Sequence, residues 1–238
     1  MVSAAPRWLL FSVASVATAV TLALPDARGF REPALARIVA THLPCAVLCS
    51  FFLVLSAVVG IRYLARRDPA LDRPLAASLE LGAVFGSLTM ATGVLFSQVQ
   101  WGTWWQWDPR QTSFLVVLLL QASGVLLRGA TPDPQRRAAA ASAYAAATLL
   151  PGLFLVFVFP RLPQVQAASL HPSRTVESGG FDWAYWSGIA AMSVALALWA
   201  RCAYVARVRA LQQHELDADR AAPAPSGLVV PLDVPEER

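Results

Sequence analysis

Long apolar runs recur along this chain and restrict its fold more than any other feature. Six are visible in the 238 residues, at about 8–24, 43–61, 76–97, 113–127, 138–159 and 183–200. A run of about 20 apolar residues crosses the hydrocarbon core of a bilayer as a helix. In hydrocarbon every backbone N–H and C=O must find its partner within the segment, so runs of this length become helices. With 14% charged residues and 56% hydrophobic ones, the chain matches an integral membrane protein. The expectation is an all-α integral membrane protein with six transmembrane helices and a Trp-rich interfacial segment between helices three and four. The fourth run is short and must borrow from its flanks. The first has Arg7 ahead of it like a signal peptide, but Leu24, Pro25 and Asp26 form no small-x-small cleavage site, so an uncleaved helix is expected.

Arginine sets the orientation. Arg62, Arg66, Arg67 and Arg73 follow run two, Arg128, Arg136 and Arg137 follow run four, and Arg201, Arg207 and Arg209 follow run six. In a six-helix hairpin topology these clusters and both termini share one side, which the positive-inside rule makes cytoplasmic. The outer segments are then 25–42, 98–112 and 160–182, with Arg28, Arg31 and Arg37 as exceptions to the rule. A net charge of +4 is accounted for by orientation and calls for no nucleic acid. Residues 1–209 read as one transmembrane domain. Residues 210–238, with Pro223, Pro225, Pro231 and Pro235, read as a disordered cytoplasmic tail. Cys45 and Cys49 are four apart within an apolar run, a poor geometry for a disulfide, and read as packing residues.

Between runs three and four lies Trp101-Gly-Thr-Trp104-Trp105-Gln-Trp107-Asp108-Pro109-Arg110, which holds four of the eight tryptophans. One or two indoles suit an interfacial belt; four call for more. Trp101, Trp104, Trp105 and Asp108 are spaced i, i+3, i+4 and i+7, which predicts one face of a short helix lying in the membrane plane. Asp108 is placed as an N-cap, with Pro109 at the first helical position and Gln111 at the third, close to a capping box.

The chain has three histidines. His42 stands at the mouth of run two and His171 in the third outer segment, so one imidazole flanks the tryptophans on either side in sequence. His214 belongs to the tail. Two neutral imidazoles beside stacking indoles suit a planar macrocycle with a central metal, and iron porphyrin accepts two axial nitrogens. Its propionates need cations, for which Arg37, Arg110, Arg161 and Arg174 are outer-side candidates. Asp108 either orients Arg110 or a histidine, or caps a helix. Both imidazoles must be neutral to bind, so haem occupancy should fall as pH drops below the histidine range.

The run from Trp101 to Asp108, continuing to Arg110 and Thr112, resembles the tryptophan-rich WWD motif of the membrane proteins that handle haem in cytochrome c maturation. Six spans, the chain length and two outer-loop histidines resemble the CcmC family of haem delivery proteins within that superfamily. His42-Leu43-Pro44 is similar to the family's first histidine segment, and Ser169-Leu170-His171 to its second. The resemblance implies a carrier in the bacterial inner membrane, not an enzyme, with the WWD segment on the periplasmic side. It implies haem b held transiently by His42 and His171 as axial ligands, over a platform of Trp101, Trp104, Trp105 and Trp107 with Asp108 and Arg110. It also implies delivery to the haem chaperone CcmE, with the ABC transporter subunits CcmA and CcmB and the small CcmD as partners in the surrounding membrane lipid. Two other readings stay open: a CcsA-like cytochrome c synthetase, and a structural subunit whose tryptophans only anchor it.

Overall fold

The computed structural model describes residues 7–172 and 179–221, which form helices and turns with no strand. The helices are α1 (Arg7–Leu22), α2 (Val39–Arg66), α3 (Asp72–Trp101), α4 (Pro109–Gly129), α5 (Pro134–Leu153), the short α6 (Pro163–Ala168) and α7 (Trp183–Ala221). A 3₁₀ turn, Pro33–Ile38, runs directly into α2, and a π-helical turn, Phe154–Val158, prolongs α5. Five segments are long and apolar enough to cross a membrane: Pro33–Arg66, Pro69–Trp101, Pro109–Gly129, Pro134–Arg161 and Trp183–Ala218. The first apolar run makes a helix of 16 residues, short of the roughly 20 that a bilayer core needs. Of the six expected spans, five therefore meet the length criterion.

Aspartate–proline pairs and a lone aspartate begin α4, α5, α7 and the short turn before α3. Asp68, Asp108 and Asp133 each accept a backbone N–H at the start of the turn or helix that follows, with Pro69, Pro109 and Pro134 at the first position. Asp182 does the same for α7 through the Tyr185 N–H at 2.9 Å. Each carboxylate satisfies donors that the first turn leaves without partners, and proline loses nothing where no N–H is needed.

Helix α2 is the centre of the bundle and packs on α3, α5 and α7, while α1 packs on α7. One face of α2 buries Cys45, Cys49, Phe52 and Ser56. Phe52 stacks on Phe85 of α3 with ring centroids 5.9 Å apart. Both cysteines are free thiols within this apolar cluster, as their spacing led one to expect. The other face of α2 exposes Leu43, Val47, Phe51, Val54, Val58 and Ile61. A helix apolar on every side, with one stripe against protein and the other bare, needs lipid as its second solvent.

Helices α2 to α5 alternate in direction. The starts of α2, α4 and α7 and the ends of α3 and α5 therefore meet at one end of the bundle, and the arginine-rich turns lie at the other. There Arg128 of α4 grips Asp72 of α3 through two bonds, at 2.5 and 2.9 Å. Arg207 of α7 does the same to Glu80 at 2.5 and 2.8 Å.

Two expectations change. The boundary expected at Arg209 falls inside α7, which continues to Ala221. Arg73 of α3 bonds Glu215 at 2.7 Å, and Asp217 takes bonds from Gln213 and Arg220, so the extension has partners that composition did not reveal. The proline-rich residues 222–238 lie outside the described residues. The tryptophan segment, in turn, is not a helix. Helix α3 ends at Trp101 because Gly102 turns left-handed at φ 82° and returns its N–H to the Gln98 carbonyl. Ser97 Oγ then donates to the Thr103 carbonyl at 2.8 Å. Before Pro109 the backbone must be extended, and Asp108 sits at φ −55°, ψ 133°. Between these fixed ends Trp104 and Trp105 cannot share a helical face with Trp101 and Asp108.

Candidate functional site

Asp108 organises the end of the bundle where the tryptophans lie. It is 6% exposed. Its Oδ1 accepts the Arg110 N–H at 2.8 Å and the Gln111 N–H at 3.4 Å, capping α4. Its Oδ2 accepts the Leu170 N–H at 2.6 Å, and both oxygens face the Ser169 hydroxyl, at 3.0 and 2.8 Å. Ser169 Oγ in turn accepts the His171 N–H at 3.1 Å. One carboxylate therefore starts α4 and anchors the segment that carries His171. The Gln111 side chain bonds back to the Trp loop and not to the cap: its Oε1 accepts the Gln106 N–H at 3.2 Å, and its amide reaches the Trp104 carbonyl at 3.4 Å. Trp107, just before Asp108, is held at φ 54°. A left-handed non-glycine residue costs about 1–2 kcal/mol, which the dense bonding on both sides offsets.

His42 projects from the first turn of α2 against α3. Its Nδ1 lies 3.0 Å from Thr92 Oγ1. The ring packs over Gly93, where a Cβ would come within 3.2 Å of its Cε1. His42 and His171 line one cavity of about 520 Å³. Its walls are mostly apolar, with Val47, Met90, Phe114 and Phe157 among them, and its rim carries Trp101, Asp108, Arg110 and Gln111. That size falls within the range of about 300–1,000 Å³ usual for small-molecule sites. A second, more polar cavity of about 370 Å³ adjoins it, sharing Trp101, Arg110 and His171 and adding Arg31 and Gln100.

The His171 imidazole faces these two cavities, so its surface is open while protein atoms crowd it from behind. Burial, then the Arg110 charge, then His42, push its pKa down from 6.5 to about 4, against an opposing pull from Asp108. It is neutral at physiological pH. Arg110 Nη1 lies 3.3 Å from its Nδ1, and Arg110 Nη2 donates to the Pro160 carbonyl at 2.8 Å.

The residues singled out from sequence divide into two groups. His42, His171, Trp101, Asp108 and Arg110 come together at the cavity. Trp104, Trp105 and Trp107 are absent from the lining of either cavity. Trp104 and Trp107 are 58% and 76% exposed, and Trp105 meets Trp107 edge-on at 5.7 Å. Of the cationic candidates, Arg161 lines the larger cavity while its Nη1 donates to the Phe157 carbonyl at 2.6 Å. Arg37 pairs with Asp26 at 3.6 Å, and Arg174 lies outside the described residues. Sequence reasoning passed over Arg31, Thr92 and Gly93. Arg31 stood out only as an arginine on the unexpected side, and Thr92 and Gly93 are small residues in an apolar run with nothing local to mark them.

The fold and the site together define a class: a multi-pass helical membrane protein with an imidazole-lined cavity at one end of the bundle. The chain belongs to the heme exporter protein C family, CcmC, whose profile matches residues 2–222. Among curated relatives it is similar to heme exporter protein C of Paracoccus denitrificans, 31% identical over 46% of this chain and 45% of the relative. It is 34% identical to that of Bradyrhizobium diazoefficiens over 50% of this chain and 44% of the relative. With that of Escherichia coli K12 it shares 35% identity over 41% of this chain and 40% of the relative. The chain thus aligns with somewhat under half the length of these relatives.

Proposed function

We propose that this chain is a haem carrier of cytochrome c maturation, which holds haem at the periplasmic end of the bundle and passes it to the chaperone CcmE. One observation carries the reading: His42 and His171, 129 positions apart in sequence, line the same cavity. The surrounding chemistry suits a porphyrin. The larger cavity is walled by apolar side chains for a macrocycle, and Trp101 adds an indole at its rim. The polar cavity beside it brings Arg31 and Arg110 to where propionates need guanidinium partners. His42 and His171 would be the axial ligands, and Asp108 would position His171 through Ser169 and Leu170. Trp104 and Trp107, bare at the same end, form an aromatic surface on which a partner meets the cargo.

By the positive-inside rule the arginine-rich turns would lie in the cytoplasm and this end outside. In that arrangement CcmA, CcmB and CcmD would assemble with this chain in the bacterial inner membrane. A site open at the end of the bundle, with nitrogen ligands that a partner can replace, suits handover better than a sealed pocket.

The test is a visible spectrum of the detergent-purified protein beside His42→Ala and His171→Ala. The wild type should show the band pair of low-spin haem with two nitrogen ligands, and each substitution should shift it. A spectrum indifferent to both changes removes the axial assignment. Maturation of a reporter cytochrome c by this chain without the chaperone would favour a synthetase instead.

A further inference from the structure

We propose that the two imidazoles are unequal, and that Arg110 and haem iron compete for the lone pair of His171. The proposal rests on the haem reading above. A neutral imidazole has one N–H and one in-plane lone pair, and the partner on one nitrogen settles which nitrogen carries which.

At His42 that partner is Thr92 Oγ1, 3.0 Å from Nδ1. The hydroxyl has a single proton, already directed to the Leu88 carbonyl at 2.8 Å, with the Thr89 carbonyl at 3.1 Å. It therefore accepts from Nδ1–H, and the lone pair of His42 sits on Nε2. At His171 the partner on Nδ1 is Arg110 Nη1 at 3.3 Å. A guanidinium only donates. Nδ1 of His171 therefore carries the lone pair, and Nε2 carries the proton. The two rings line one cavity in opposite tautomers.

This difference orders their use. His42 is set by Thr92 with its lone pair on the nitrogen away from the bond, ready as a standing ligand. The lone pair of His171 is engaged until Arg110 lets go. If the iron is taken through Nε2, the ring proton moves from Nε2 to Nδ1 at the same time, with no net gain or loss of protons. Arg110 also borders the polar cavity that Arg31 lines. A carboxylate there makes a charge-assisted bond with Arg110, stronger than a 3.3 Å contact to a neutral ring. Propionate recognition thus releases His171 for the iron. Withdrawal of the carboxylate returns Arg110 to the ring and weakens that axial bond. Arg110 is a positioning residue in this scheme, acting through His171.

The probe is haem dimethyl ester, whose propionates carry no charge. The purified full-length chain should give a six-coordinate low-spin spectrum with ferric haem and a predominantly high-spin spectrum with the ester. With Arg110→Leu the spin state should no longer differ between haem and the ester, whatever the affinity for either; Arg110→Met serves the same comparison if the leucine variant accumulates poorly. Independently, ¹⁵N-labelled histidine in the haem-free protein should show His42 protonated on Nδ1 and His171 on Nε2. A low-spin spectrum of wild type with the ester, or one tautomer at both histidines, overturns the proposal while leaving the haem reading in place. A wild-type haem spectrum unmoved by His42→Ala and His171→Ala sinks the haem reading itself.

Discussion

The Asp108 carboxylate accepts the Leu170 N–H at 2.6 Å and joins the start of α4 to the chain that presents His171. The same side chain caps its own helix. Two tasks of different reach therefore fall on one residue, and a substitution can separate them.

Asp108→Asn keeps a good N-cap, so α4 should persist. It loses the ionised acceptor that holds both Ser169 and Leu170. A hydrogen bond to a charged group contributes about 1.5–3 kcal/mol, so haem affinity should fall by roughly ten- to a hundredfold. A haem titration followed by absorbance measures this, and hydrogen exchange at Leu170 should quicken. Unchanged affinity would show that the contact does not seat His171.

Gly93→Ala should divide stability from binding. A Cβ there meets His42 Cε1 at 3.2 Å, so the ring must move. Alanine is also the better helix former by about 1 kcal/mol. Thermal unfolding of the haem-free protein should be unchanged or raised, while the haem spectrum shifts and occupancy falls. Loss of both together would mean that the glycine serves packing alone.

Acid should act later than an ordinary histidine suggests. In the folded chain His171 is pushed down to about 4, chiefly by burial and by Arg110. Between 6.5 and 4 the unfolded segment therefore binds a proton that the folded one does not. Stability from this group is fully present above pH 6.5 and declines as pH falls toward 4. The folded ring is still neutral at about pH 5, so the low-spin bands should survive there and be lost nearer pH 4. Loss centred near the ordinary histidine range, as expected from sequence, would mean that the protein atoms and Arg110 around His171 do not hold it neutral.

At the opposite end, the Asp72–Arg128 pair has side chains only 14% and 13% exposed. Removing one partner strands the other charge, so Arg128→Ala should destabilise the fold by about 3 kcal/mol, read from thermal unfolding in detergent. Arg220→Ala, which breaks a pair 73% and 58% exposed, should cost under about 1 kcal/mol. Equal effects would refute the distinction by burial.

Much of this architecture was legible in the sequence because its causes are local. Apolar run length placed the five long spans, Asp108-Pro109 marked the start of α4, and the spacing of Cys45 and Cys49 marked packing. The tryptophan spacing misled for an equally local reason: Gly102 breaks the helix that the spacing assumes. The terminal extension of α7 was missed because Glu215 finds Arg73 only in the folded bundle.

What only the tertiary structure decided is the site. His42 meets Thr92 across 50 positions, and Asp108 meets Leu170 across 62. Neither pair carries a periodic or spaced signal in the sequence. Hydropathy and capping act over a few residues and so are written along the chain. The contact of Arg110 with His171, a shared carboxylate and the entry of Arg31 depend on which helix ends are brought together, and packing alone settles that.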